Sequence, residues 1–258
     1  MAQSKPSDST ATAGTGRESV LSRSLLSDSV SRVQAVSSVS GAVTVKELRH
    51  TDGRSICSAN FTYELRSAGD LYATIQSEDA QTKLDFDLLI LAPDTPKDVF
   101  IRGADPAHPN DWEVLPSGVS HADEYFAYLK HDGPFDLTTL PDTIENVQPL
   151  PDDTIDGVTC IHLRGMLNLE RAGQESQRTG LPLRPGPTPV IIGPVTEDFW
   201  MAKDTHLLRR LVSHESLMQS REVVDATVIA DYLSYNAAKI PARPTHPIVI
   251  APSGTRSD

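Results

Sequence analysis

The stretch "VTEDFWMAKDTHLLRRLVSHE", residues 195–215, decides how this chain is read. Two aromatics, the four-residue turn signal "KDTH" and two leucines lie between charged residues, which reads as a β-hairpin with that turn at its tip. Neighbouring side chains on a strand point to opposite faces, so Phe199 and Trp200 face opposite ways. The pattern leaves open which of the two faces inward. A hairpin with one apolar side needs further strands or helices to cover it.

Such strands lie on both sides of it. After the hairpin, residues 223–235 alternate Val224, Ala226, Val228 and Ala230 against Asp225, Thr227 and Asp231. Before it, "DGVTCIHLRGMLNLE" sets Ile161, Leu163, Leu167 and Leu169 on one face and Cys160, His162 and Arg164 on the other, with Gly165 permitting a bend. Nearer the start, "AVTVKELR" (42–49) and "SICSANFTYELRS" (55–67) repeat every two residues around "HTDGR", whose Asp52-Gly53 is a hairpin-turn signal. In "KLDFDLLIL" (83–91), Leu84, Phe86, Leu88 and Ile90 share a face, with Asp85 and Asp87 opposite. "DVFIRG" and "DWEVLP" give two more short strands around the turn-rich "ADPAHPN".

Helical spacing occurs once with clarity, at Leu21, Leu25, Leu26, Val30 and Val33, and predicts an amphipathic helix over 17–33. Residues 121–150 read as short helical or irregular pieces broken by Pro134 and Pro141, an insert that covers part of the sheet. Residues 172–189 read as a long Pro/Gly-containing loop, and the proline-rich end from Lys239 as an extended tail. The expected fold is mainly β (α+β): eight to eleven antiparallel strands in a strongly curved half-barrel, with an N-terminal helix and a helical insert on the concave face. One domain spans 17–244, between a disordered segment 1–16 and an extended or disordered tail 245–258.

Composition narrows the function. A net charge of -12 opposes binding to phosphate backbones, which draws on lysine and arginine, so nucleic acid is not expected as a partner. Two cysteines among 258 residues cannot staple a small scaffold or build a four-thiolate zinc site. Whether Cys57 and Cys160 pair is open, because Cys57 shares a face with the inward residues Phe61, Tyr63 and Leu65 while Cys160 lies with His162 and Arg164. The segment 1–16 contains no apolar signal region, and no stretch is long enough to span a bilayer. No G-x-S-x-G elbow, P-loop, G-x-G-x-x-G turn or helical HExxH is present. His121, Asp123 and Glu124, or His206 and His214, read as solvated turn residues rather than ligands. The expectation is a non-enzymatic protein with no cofactor, no metal and no catalytic residues.

The order of helix, long meander, insert, "DGVTCIHLRG", then "DFWMAKDTHLLRRL" and a strand ending near "IPARP" resembles the LppX/LprG-type and LolA-like lipoprotein-carrier families. The likeness covers residues 17–244, and its most telling pieces are the aromatic hairpin and the Trp112 strand after "DVFIRGADP". It implies a half-barrel whose concave side keeps an apolar cavity for acyl chains, and a lipid carrier in the cell envelope or periplasm. The chain shows neither a lipobox nor a cysteine before Cys57.

Lipid or acyl chains are then the expected partner of a monomer, with a membrane surface or a donor or acceptor protein beyond them. The residues expected to line the cavity are Phe61, Tyr63, Leu65, Leu84, Phe86, Leu88, Ile90, Ile161, Leu163, Leu167, Val224 and Val228, which alternation alone would equally make plain core. Arg209 and Arg210 read either as contacts to a lipid phosphate at the cavity mouth or as partners of nearby carboxylates. The alternative function is a sensor or interaction module on the same scaffold, binding a protein or peptide.

Overall fold

The computed structural model describes residues 12–67, 69–79, 82–91, 98–114, 137, 139–179, 190–219 and 221–249. A helix, α1 (Thr12–Gln34), precedes six strands: β1 (Ser38–Arg49), β2 (Ser55–Arg66), β3 (Leu71–Asp79), β4 (Lys83–Leu91), β5 (Asp98–Arg102) and β6 (Trp112–Val114). A short helix, α2 (Leu140–Thr143), leads into β7 (Ile144–Ile155) and β8 (Val158–Leu167), and α3 (Leu169–Thr179) follows. The chain ends in β9 (Val190–Ile191), β10 (Val195–Ala202), β11 (Leu208–Gln219), β12 (Glu222–Tyr235) and β13 (Ile248–Val249).

All the strands belong to one open sheet, ordered β13-β6-β5-β4-β3-β2-β1-β12-β11-β10-β8-β7, with β9 beside β11. Two antiparallel meanders are joined where β1 meets β12, with Val43 opposite Ala230. The pairing of β13 with β6 is parallel. Among the described residues the strands number thirteen rather than eight to eleven, partly because β9 and β13 are two-residue pieces.

A single buried cluster takes Val99 from β5, Ile90 from β4, Val43 from β1, Phe199 from β10 and Leu163 from β8. In a flat sheet, β5 and β8 would stand roughly 38 Å apart at about 4.8 Å per strand. The sheet therefore curves, and the face carrying this cluster is concave. On it lies α1, whose Leu26, Val30 and Val33 join the cluster and which packs against β7, α2 and β11. The helical spacing read in the sequence thus gives the helix and most of its buried stripe, although Leu21 is 59% exposed and Leu25 only half-buried.

Three readings change. The insert expected over 121–150 ends earlier, because α2 stops at Thr143 and residues 144–155 form β7; the rest of that insert up to 136 lies outside the described residues. β7 is the edge strand, where Pro149 and Pro151 do not interrupt a ladder on both sides, so prolines that look like breakers are tolerated. Part of the loop expected over 172–189 is α3, a helix with few apolar residues to announce it. An additional strand, β3, continues the meander with Leu71, Ala73 and Ile75 buried.

Two glycines serve close packing. A Cβ on Gly165 would run into the Ile144 side chain, so this glycine makes room for a core residue. A Cβ on Gly41 would lie 2.3 Å from the Tyr63 hydroxyl. The tail crosses the convex side: Ala238 N–H donates to Ser38 Oγ at 3.2 Å, Lys239 N–H to Glu64 Oε2 at 3.0 Å, and Arg243 lies 5.9 Å from the Phe100 ring centre. At this end of the sheet both faces are apolar, with Leu89 and Phe100 buried on the convex side and Leu88 buried beside the half-buried Ile101 on the concave side.

Candidate functional site

Strand register assigns the concave face row by row. One row runs Phe199, Leu211, Ala230, Val43, Phe61, Ile75 and Phe86 across β10, β11, β12, β1, β2, β3 and β4. The row nearer the β2–β3 turn runs Tyr232, Gly41, Tyr63, Ala73, Leu88, Ile101 and Glu113. Side chains of one row are neighbours across the sheet.

They are not covered evenly. Toward the β2–β3 turn the face is filled: Tyr63, Tyr232, Phe199, Met201 and Leu208 are each at most 2% exposed and pack with α1. Burial of their phenols raises Tyr63 and Tyr232 well above the ordinary tyrosine value, as removal of the charged form from water requires. Toward the β1–β2 turn the cover thins. Val45, Phe61, Phe86, Ile101, Leu211 and Val228 pack against the same cluster but are only partly buried, interspersed along the concave face with the buried Val43, Ile75 and Ala230.

Most of the expected lining residues converge here. Tyr63, Leu88, Ile90 and Leu163 are buried in the cluster, and Phe61, Leu65, Phe86, Ile161, Leu167 and Val228 are packed half-buried against it. Two stand apart. Leu84 is 47% exposed at the rim, and Val224 is buried outside the cluster, opposite Leu217 of β11.

The aromatic pair of the hairpin separates as alternation requires. Phe199 is fully buried inside, whereas Trp200 lies on the convex side stacked on His162, with ring centres 4.2 Å apart. Beside them Asp198, 1% exposed, accepts hydrogen bonds from Arg164 Nε and Nη2 at 2.9 Å each and meets His162 Nε2 at 2.8 Å. A buried carboxylate met by a bidentate guanidinium and an imidazole is a satisfied charge, so this trio is structural. Arg210 is likewise convex and donates to Asp231, which leaves it turned away from any concave ligand; Arg209 donates to the Leu233 carbonyl.

The thiols of Cys57 and Cys160 are free; Cys160 sits opposite Ala202 and Cys57 opposite Asp79. Among the described residues no three His, Cys, Asp or Glu side chains gather as metal ligands. His121, Asp123 and Glu124 lie outside the described residues. Of the other histidines weighed, His206 is held by Asp28 at 2.7 Å and His214 is exposed beside Thr227. No described helix is long and apolar enough to cross a membrane.

Sequence reasoning missed two features of this face. The filling of one end by tyrosines depends on Gly41, which carries no pattern of its own. Glu113 comes from a three-residue strand too short to fix its facing before the register is known.

No protein-family model matches this chain, and no curated protein does. Solved structures it is similar to include the LppX- and LolA-type proteins that the sequence resemblance named. Lipoprotein LppX of Mycobacterium tuberculosis shares 13% identity over 87% of this chain and 98% of its own, with a TM-score of 0.47. LprF from Mycobacterium bovis shares 16% over 87% and 98%, with a TM-score of 0.49. A LolA superfamily protein from Nitrosomonas europaea shares 10% over 86% and 94%, with a TM-score of 0.28.

Proposed function

We propose that this protein binds the acyl chains of a lipid on its concave face and carries them without chemical change. The observation that supports the reading is the half-buried apolar band formed by Val45, Phe61, Phe86, Ile101, Leu211 and Val228. A face meant only as core would be covered along its whole length, because each large apolar side chain gains about 1.5–3 kcal/mol on full burial. Hydrocarbon laid along this band supplies the missing cover.

The magnitudes suit a carrier. An acyl chain that buries roughly eight methylenes gains about 6 kcal/mol before the costs of association, enough to hold a lipid and little enough to release it. The filled end stops the chain's advance, and the thinly covered end toward the β1–β2 turn is the way in. Work in the cell envelope belongs to the same proposal.

The test is native mass spectrometry after incubation with 1-monopalmitoylglycerol, a neutral single-chain amphiphile. A one-to-one complex is expected. Phe61→Asp, which sets a charge in the middle of the band, weakens it roughly 10–100-fold by the same burial term. A chain that takes up no amphiphile, or a Phe61→Asp variant that binds as the wild type does, overturns the reading.

A further inference from the structure

The filled end of the concave face is closed by phenols. Tyr63 on β2 and Tyr232 on β12 flank Gly41 of β1 in one row, and Tyr235 follows at the end of β12. Tyr63 is 2% exposed and Tyr232 1%. The row continues through Ala73 and Leu88, both buried. From β12 to β4 it therefore forms a wall across the face.

This wall is stiff. The Tyr63 hydroxyl donates to the Asp231 carbonyl at 3.5 Å, and the Tyr235 hydroxyl to the Leu208 carbonyl. The Tyr63 ring lies against Gly41, where even a Cβ finds no room. A methionine met by an incoming chain turns to another rotamer at small cost, whereas Tyr63 in turning strands its hydroxyl in an apolar space. On the side of the mouth, Cys57 is half-buried and level with the exposed Asp79 of β3. The rise along β2 from Cys57 to Tyr63 is about 20 Å at about 3.3 Å per residue, a length that an extended chain of about sixteen carbons fills. Between the two, Ala59 and the neighbouring Ser77 are small and leave depth over the sheet.

We propose that Tyr63 gauges chain length, so that the groove takes a saturated chain of up to about sixteen carbons laid along β2 and rejects longer ones. The proposal rests on reading the apolar band as an acyl-chain site, and it names the lipids that suit this site. Hydrocarbon burial alone favours ever longer chains, by about fourfold for each methylene. A wall that does not yield turns this gain into selection, because every methylene beyond it is left in water.

The experiment offers the full-length protein an equimolar series of saturated 1-monoacylglycerols, from lauroyl to behenoyl, in phosphatidylcholine vesicles. After removal of the vesicles, the bound species are quantified by mass spectrometry. Each methylene leaves one apolar surrounding for another while the groove has room, so loading is level up to palmitoyl. Past the wall it falls about fourfold per methylene, which puts stearoyl about sixteenfold below palmitoyl. Tyr63→Leu, with its unfolding midpoint as the folding control, moves the break to stearoyl or beyond. Level loading through behenoyl in the wild type overturns the length limit while leaving the acyl-chain site standing. A break that stays at palmitoyl in Tyr63→Leu overturns the role of Tyr63, and failure of every length to load overturns both readings. Should Tyr63→Leu not fold, Tyr63→Phe decides: freed of the hydroxyl's bond, the ring yields and the fall past palmitoyl becomes shallower, whereas a fall as steep as in the wild type overturns the role of Tyr63.

Discussion

Gly41 and Tyr63 show how one small residue sets the filled end of the concave face. The Tyr63 ring lies where a side chain on Gly41 would stand, and it is 2% exposed. Gly41→Val meets both the Asp231 backbone carbonyl and the Tyr63 ring and is expected to cost about 1–3 kcal/mol or more, measured as a drop in the urea midpoint. A midpoint equal to that of the wild type would mean that both the ring and the β12 backbone at Asp231 yield and the end is not tightly packed. At this scale the alternation in the sequence already told which of Phe61, Leu88 and Leu163 face inward, because a period of two is set by the backbone. It did not tell which inward residues stay half-open, since that depends on α1 lying nearer β7 and β11 than β2 to β4.

Among the elements, α1 is held by a polar latch as well as by its apolar stripe. Arg23 donates to the Ile144 carbonyl at 2.9 Å, and Asp28 holds both Arg32 and His206, the latter in the β10–β11 turn. The hydrogen bond from Arg32, followed by that from His206, keeps the Asp28 carboxyl below its ordinary value of 3.8. A carboxyl lowered by folding lends stability that is complete above the unfolded value and is lost as pH falls through the folded one. Asp28→Asn is therefore expected to reduce stability slightly at neutral pH and to match the wild type once the medium is well below pH 3.8. Urea midpoints at both acidities check this, and a difference that persists unchanged in acid would assign it to packing instead. The helix itself was plain in the sequence from its leucine and valine spacing. The latch was not, because Asp28 and His206 lie far apart in the chain and meet only when the hairpin folds over the helix end.

For the molecule as a whole, the pairing that matters most joins its two ends. β1 finds β12 as its neighbour, with Arg49 opposite Val224 and Val39 opposite Tyr235, and this contact unites the two meanders. The strands were readable one at a time; their order was not, since local pattern says nothing of partners remote in sequence, and the seam between meanders is such a partnership. A chain ending at Gln219 lacks β12 and β13, leaving β1 and β11 with bare edges. It is expected to show no cooperative thermal transition by circular dichroism, whereas a native-like transition in that fragment would mean that the meanders stand alone.

The same seam bears on how the protein comes into being. A ribosome releases the N-terminal meander long before the strand that must lie beside it has been made, so the nascent polypeptide waits with an unpaired, partly apolar border. Topologies dominated by remote contacts assemble slowly and are open to mispairing meanwhile. Such a chain gains from a chaperone that holds it until its last strands arrive.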